Sequence, residues 1–160
     1  MTFGATGYAL GEDEGDAIWF FNGLFVVKAA AAETKNAFTL IEVQLPPGGG
    51  APPHIHHNEE EGFYILEGEL TVNCGEQSWT ATPGMFAFLP RGIPHSFHVS
   101  ESGPAKLLQL SSPSQFERFA AEMGEPATAM TLPEPTEVDV PKLLSVTPKY
   151  GIEMLPPPAP

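Results

Sequence analysis

Residues 48–68 read GGGAPPHIHHNEEEGFYILEG, and this stretch decides how the rest of the chain is understood. It holds three of the chain's five histidines and a run of three glutamates. His54 and His56 are one residue apart, which in a β-strand puts both imidazoles on one face, because side chains alternate with period 2. His57 has the opposite parity and points outward. After a short polar loop, Glu61 opens an apolar run, Gly62-Phe63-Tyr64-Ile65-Leu66, that can return beside the first strand. Two imidazoles and a carboxylate from adjacent strands make a first-row transition-metal site that lacks one or two ligands. By the same spacing Glu59 and Glu60 belong to a solvated acidic loop, with Glu59, which shares the parity of Glu61, as the reserve ligand.

The rest of the composition suits a small folded β-protein. The chain has 160 residues, 42% of them hydrophobic and 10% aromatic, enough for one domain with a real core. Its 16 Gly and 18 Pro punctuate it often, favouring many short strands over long helices. A net charge of −13 repels phosphate backbones and anionic lipid, so nucleic-acid and membrane-surface roles are not expected. No run reaches the ~18–20 apolar residues of a membrane span. The opening residues lack a basic segment before an apolar one, and Cys74 is the single cysteine, so a cytoplasmic location is expected, with Cys74 a small core residue.

Working outward, residues 1–16 form an irregular acidic arm, residues 17–111 a β-barrel, and residues 112–160 a helical extension with a Pro-rich tail on the same domain. The runs Ile18-Trp19-Phe20-Phe21 and Leu24-Phe25-Val26-Val27 read as a hairpin turning at Asn22-Gly23. Residues 29–35 read as a loop or strand extension. In the strand 38–45, Thr39, Ile41, Val43 and Leu45 share one face, and Glu42 on the other face is read as solvent-facing. Glu67-Gly68 reads as a second hairpin turn, and strands follow near 78–81, 85–89, 95–99 and 106–110. About nine short strands suggest a closed antiparallel sandwich or barrel. Ser112-Pro113 reads as N-cap and first helical position of a helix over 114–123, ended by Gly124. A second short helix is expected near 141–146, interrupted at Pro148, and the closing PPPAP reads as disordered.

A candidate for the missing ligand lies in the second half. There a strand enters a tight turn at Gly92, and His95 begins the strand going back, which can bring it opposite His54 and His56. His98, like His57, has outward parity. Taken together, Gly48-x5-His54-x-His56-x4-Glu61-x6-Gly68 and Gly84-x5-Pro90-x-Gly92-x2-His95 resemble the two motifs of the cupin superfamily. Val99 stands where the second motif usually has Asn, a structural position and not a ligand. The hairpin around Trp19–Leu24 and the segments at 115–119 and 149–153 are similar to small bacterial cupins of the quercetin 2,3-dioxygenase-like group. The resemblance implies an all-β double-stranded β-helix (jelly-roll) barrel with one or two short C-terminal helices. It also implies His54, His56, Glu61 and His95 as ligands of one divalent transition metal, which N/O donors allow to be Fe, Mn, Co, Ni, Cu or Zn.

The activity so implied is a metal-dependent dioxygenase acting with O₂ on a flavonol-like or enolisable hydroxy substrate. Glu61 is then both ligand and the catalytic base for the substrate's hydroxyl proton. Phe20, Phe63 and Phe97 are the candidate substrate-pocket residues; Phe63 and Phe97 each lie two residues from a ligand on the same face. Two other classes stay open: a non-oxidative metal-dependent isomerase, cyclase or lyase, and a small-molecule-binding protein without catalysis. A homodimer is the expected assembly.

Overall fold

The computed structural model describes residues 6–156. Among these, the chain runs β1 (Asp16–Phe20), β2 (Gly23–Ala29), α1 (Ala31–Thr34), β3 (Thr39–Leu45), β4 (Gly50–His56), β5 (Glu60–Glu67), β6 (Leu70–Cys74) and β7 (Gln77–Ala81). It continues through β8 (Phe86–Leu89), β9 (His95–Val99), β10 (Ala105–Ser112), α2 (Phe116–Met123), β11 (Glu125–Pro126), α3 (Val140–Val146), a 3-10 helix (Thr147–Tyr150) and β12 (Ile152–Met154). A seven-stranded antiparallel sheet, ordered β11-β1-β2-β3-β10-β5-β8, faces a five-stranded one, ordered β12-β4-β9-β6-β7. From β3 to β10 the chain changes sheet at almost every connection. That weave is the double-stranded β-helix.

Alternation fills the space between the sheets. In β3, Thr39, Ile41, Val43 and Leu45 are buried while Leu40, Glu42 and Gln44 are not, and β10 buries Ala105, Leu107, Gln109 and Ser111 in the same way. Glu42 lies on the outer face, covered by Lys106 Nζ at 3.1 Å. Cys74 is a buried free thiol in the main core. The helices close one side: Phe116, Phe119 and Ala120 of α2 and Leu143 and Val146 of α3 join that core. None of the helices among the described residues is long and apolar enough to cross a membrane.

Several local expectations are corrected. The first hairpin turns at Phe21-Asn22, one residue earlier than expected, with both residues at positive φ (47° and 59°). Such a pair is the two-residue turn that matches strand twist. Gly23 belongs to β2, where a Cβ would come within 2.9 Å of the Gln44 carbonyl oxygen. Residues 31–34 form the single helical turn α1, held by Glu33 accepting from the Ala30 N–H at 3.0 Å. Glu67-Gly68 is not a hairpin turn, since β5 pairs with β8 and β10 whereas β6 pairs with β7 and β9. It is a corner between sheets. Gly68 is there because φ is +80° and a Cβ would meet the Pro104 carbonyl oxygen at 2.4 Å.

At the C-terminal side, Ser112 still belongs to β10, and the next helix begins later, at Phe116 with Gln115 as its cap residue, so Pro113 is not its first helical position. The second helix, capped by the Asp139 side chain accepting from Lys142 N–H at 3.0 Å, passes into the 3-10 helix and does not stop at Pro148. β11 and β12 were not expected. The arm is irregular from residue 6 to residue 15; its first five residues, and all of the closing PPPAP but Pro156, lie outside the described residues.

Candidate metal centre

The site sits between the sheets, where three strands deliver four polar side chains into an apolar core. β4 carries Pro52 and Pro53, which have no N–H to give to a ladder, and its register with β9 shifts between Ala51 and His54. Pairing resumes with His54 opposite His95. Glu61 begins the inward face of β5, opposite Ser111 of β10. His54, His56, Glu61 and His95 are all buried, and one donor atom from each lies within 4.8 Å of every other.

The geometry suits a single metal ion. His54 Nε2 is 3.1 Å from His56 Nε2, and Glu61 Oε2 is 3.4 Å from His56 Nε2 and 3.0 Å from His95 Nε2. Two ligands at right angles on bonds of about 2.1 Å stand about 3.0 Å apart, so these separations fit the edges of one coordination shell. His95 Nε2 is buried and, despite that 3.0 Å approach, is not aligned for a hydrogen bond, so its lone pair has no partner. Each imidazole donates its other nitrogen away from the centre: His54 Nδ1 to the Pro52 carbonyl at 2.7 Å, His56 Nδ1 to Glu59 Oε1 at 2.8 Å, and His95 Nδ1 towards the Ile93 carbonyl at 3.4 Å. That leaves three Nε2 lone pairs converging with one carboxylate oxygen, a donor set suited to a divalent transition ion.

Electrostatics prepare the same set. Burial, then the neighbouring His95 and His56, lower His54 to a pKa of about 4, so it is neutral and able to ligate near neutral pH. Burial works to raise Glu61, but His56, His95 and His54 together overcome it and hold the carboxyl down to about 2. Gln109 Nε2 donates to Glu61 Oε1 at 2.8 Å and leaves Oε2 facing the imidazoles. For His56, the attraction of Glu61 and Glu59 outweighs burial and raises the pKa.

Glu59 is not part of a solvated loop. It is 1% exposed, and burial raises its pKa against the opposing hydrogen bond from His56. Nor is it among the four converging donors: it accepts from the back of His56 and orients that ring. Gln115 Nε2, 3.5 Å from Glu59 Oε1, also donates to the Tyr150 carbonyl at 2.5 Å, so the C-terminal segment braces this arrangement. Glu60 does face outward and pairs with Arg91 (Nε to Oε1, 2.8 Å). His57 and His98 are exposed, near Glu153 and Glu101 respectively. Glu59→Gln is expected to weaken metal binding about 10- to 100-fold, as loss of such an orienting partner commonly does. Competition with a chelator measures this, and an unchanged melting curve of the metal-free protein separates it from misfolding.

A cavity of about 50 Å³ adjoins the ligands His54, His56 and Glu61. Phe20, Phe63 and Phe97 all line it, with Phe63 and Phe97 edge to face at 5.3 Å. Phe21, Phe116 and Phe119 line it too, and no spacing rule in the sequence pointed to them because they come from a turn and a helix outside the ligand motifs.

Comparison with known proteins agrees with this picture. The Cupin domain family model matches residues 41–111. Quercetin 2,3-dioxygenase of Bacillus subtilis is 31% identical over 123 residues, which is 77% of this chain and 36% of that protein. Germin-like protein 3-1 of Oryza sativa is 30% identical over 121 residues, covering 68% of this chain and 54% of that protein. The chain therefore spans about a third to a half of the length of these curated relatives. An RmlC-like cupin from Shewanella frigidimarina shares the fold with a TM-score of 0.58 at 17% identity, covering 71% of this chain and 96% of that one. The woven two-sheet barrel, the buried three-histidine, one-glutamate cluster and the matching family model place this chain in the cupin superfamily.

Proposed function

We propose that the protein is a metal-dependent dioxygenase acting on a flat, apolar molecule with an enolic or phenolic hydroxyl. The observation that carries this reading is that three of the four clustered residues, His54, His56 and Glu61, line an aromatic cavity, and the similarity to a quercetin 2,3-dioxygenase supports it. A bound divalent ion would supply charge stabilisation and hold both reactants at one place, worth several kcal/mol. His54, His56, His95 and Glu61 would hold it. Phe63 and Phe97 present ring faces and edges to an apolar substrate and exclude water from the reacting atoms.

Glu61 has two parts in this scheme. It would hold the ion through Oε2, and it would accept the substrate's hydroxyl proton while Gln109 donates to Oε1. Transfer of a proton to a carboxylate favours an enolic or phenolic hydroxyl over an aliphatic alcohol, which is the weaker acid.

The protein loaded in turn with Fe, Mn, Co or Ni is expected to consume O₂ when given flavonols or smaller enols. Absence of uptake with every metal and substrate would sink the oxidative reading. Substrate conversion that continues under strict anaerobiosis would point to an isomerase, cyclase or lyase on the same ligands.

A further inference from the structure

Phe21 stands where the metal cavity meets a larger space outside it. The cavity, at about 50 Å³, is far below the ~300 Å³ at which small-molecule sites begin. Beside it lies a groove of about 480 Å³ between the Pro/Gly loop before β4 and the segment leading into α3. The two spaces share Phe21, Gly50, Pro52 and Leu143 as walls, and of these Phe21 alone has a large aromatic ring to swing.

The backbone at this residue is unusual in a way that asks for an explanation. Phe21 has φ of 47°, a left-handed conformation that Gly or Asn adopts readily and a bulky aromatic does not. A strained position filled by an unsuitable residue often serves function. The ring itself stacks on Phe20 at 4.2 Å, with 22° between the planes, and so lies over the aromatic cluster of the cavity. Its neighbour Asn22 fixes the turn from outside, donating to the Thr136 carbonyl at 3.0 Å and accepting from the Thr136 N–H at 2.9 Å. The turn is thus held in place while the half-buried Phe21 ring stacks on that of Phe20 at the edge of the core.

We propose that Phe21 is the gate of the metal cavity and sets the size of molecule that reaches the ligands. With the ring stacked on Phe20, the cavity admits only a molecule of a few atoms, such as O₂. With the ring turned away, cavity and groove join into a space of the size small-molecule sites have. The groove is walled by Pro47, Val138 and Val140 as well as the shared residues, with no charged side chain, so the molecule it passes is flat and apolar. This rests on the reading that the ligands serve a small molecule, but not on the reaction being oxidative.

The test is stopped-flow association of 3-hydroxyflavone, followed by its own fluorescence, with the metal-free protein and three variants. Phe21→Ala removes the ring, and Phe21→Asn removes it while suiting the left-handed turn, so at least one variant keeps the hairpin; thermal melting reports which. Both are expected to raise the association rate constant at least about tenfold, because a gated step limits it in the native chain. Phe21→Trp is expected to lower it. Equal rates for the native chain and all folded variants would overturn the gate, and so would failure of the flavone to bind any of them. If rates change as expected but no metal-loaded form consumes O₂, the gate stands and the dioxygenase reading falls.

Discussion

His95→Ala is expected to lose more than about 100-fold in metal affinity, beyond the 10- to 100-fold that follows from loss of an orienting residue alone. His95 is the only ligand from β9, and it closes the cluster opposite His54. Metal at a thousandfold excess over its dissociation constant stabilises a folded protein by about 4 kcal/mol. For a chain of this size that is a rise of roughly 10 °C in melting temperature. The native protein should show such a rise on metal addition, and His95→Ala at the same metal concentration should show no more than about a third of it, because a tenfold excess over the dissociation constant stabilises by only about 1.4 kcal/mol. A variant that still gains most of the shift would mean that the ion is held elsewhere.

Phe63→Ala is expected to destabilise the fold by about 3–5 kcal/mol, the usual range for removing a buried phenylalanine. Phe63 is 2% exposed, packs edge-on to Phe97, and lies on the inner face of β5 two residues from Glu61. Phe88 is the control. It is 54% exposed on the outer face of the neighbouring strand β8, so its replacement by alanine should stay within about 0.5 kcal/mol. Urea denaturation of the two variants measures both. Similar losses from each would mean that the outer face of β8 is covered in solution, for instance by a second copy of the chain.

The ligand cluster was legible because it obeys one simple rule. His54 and His56 alternate with Ile55 along a strand, and Gly92 and Pro94 sit in the turn that returns His95. Period 2 and turn chemistry marked these residues as candidates, and the resemblance to the two cupin motifs joined them with Glu61 into one set. Glu59 escaped that rule. It lies in a loop, where parity has no meaning, and its burial goes with the hydrogen bond to His56, three residues back, and with Gln115, far along the chain. The turn at Phe21-Asn22 was misplaced for a related reason. Asn-Gly is the favoured turn pair, but Gly23 is required by close packing against β3, and the left-handed position falls to Phe21 instead. β12 is three residues long, too short for any periodicity, and exists only because β4 offers it an edge.

That last pairing bears on how the molecule is made. Ile152 lies opposite His56 and Met154 opposite His54, so the strand carrying two ligands has its outer edge covered by nearly the last residues described. On the ribosome β4 emerges well before β12, and domains form from the N-terminal side as synthesis proceeds. Until synthesis reaches β12, a flank of the ligand strand stands open to water and to other nascent chains. The candidate metal centre is therefore fully enclosed by backbone pairing only once β12, nearly a hundred residues further along, has been made and docked on β4.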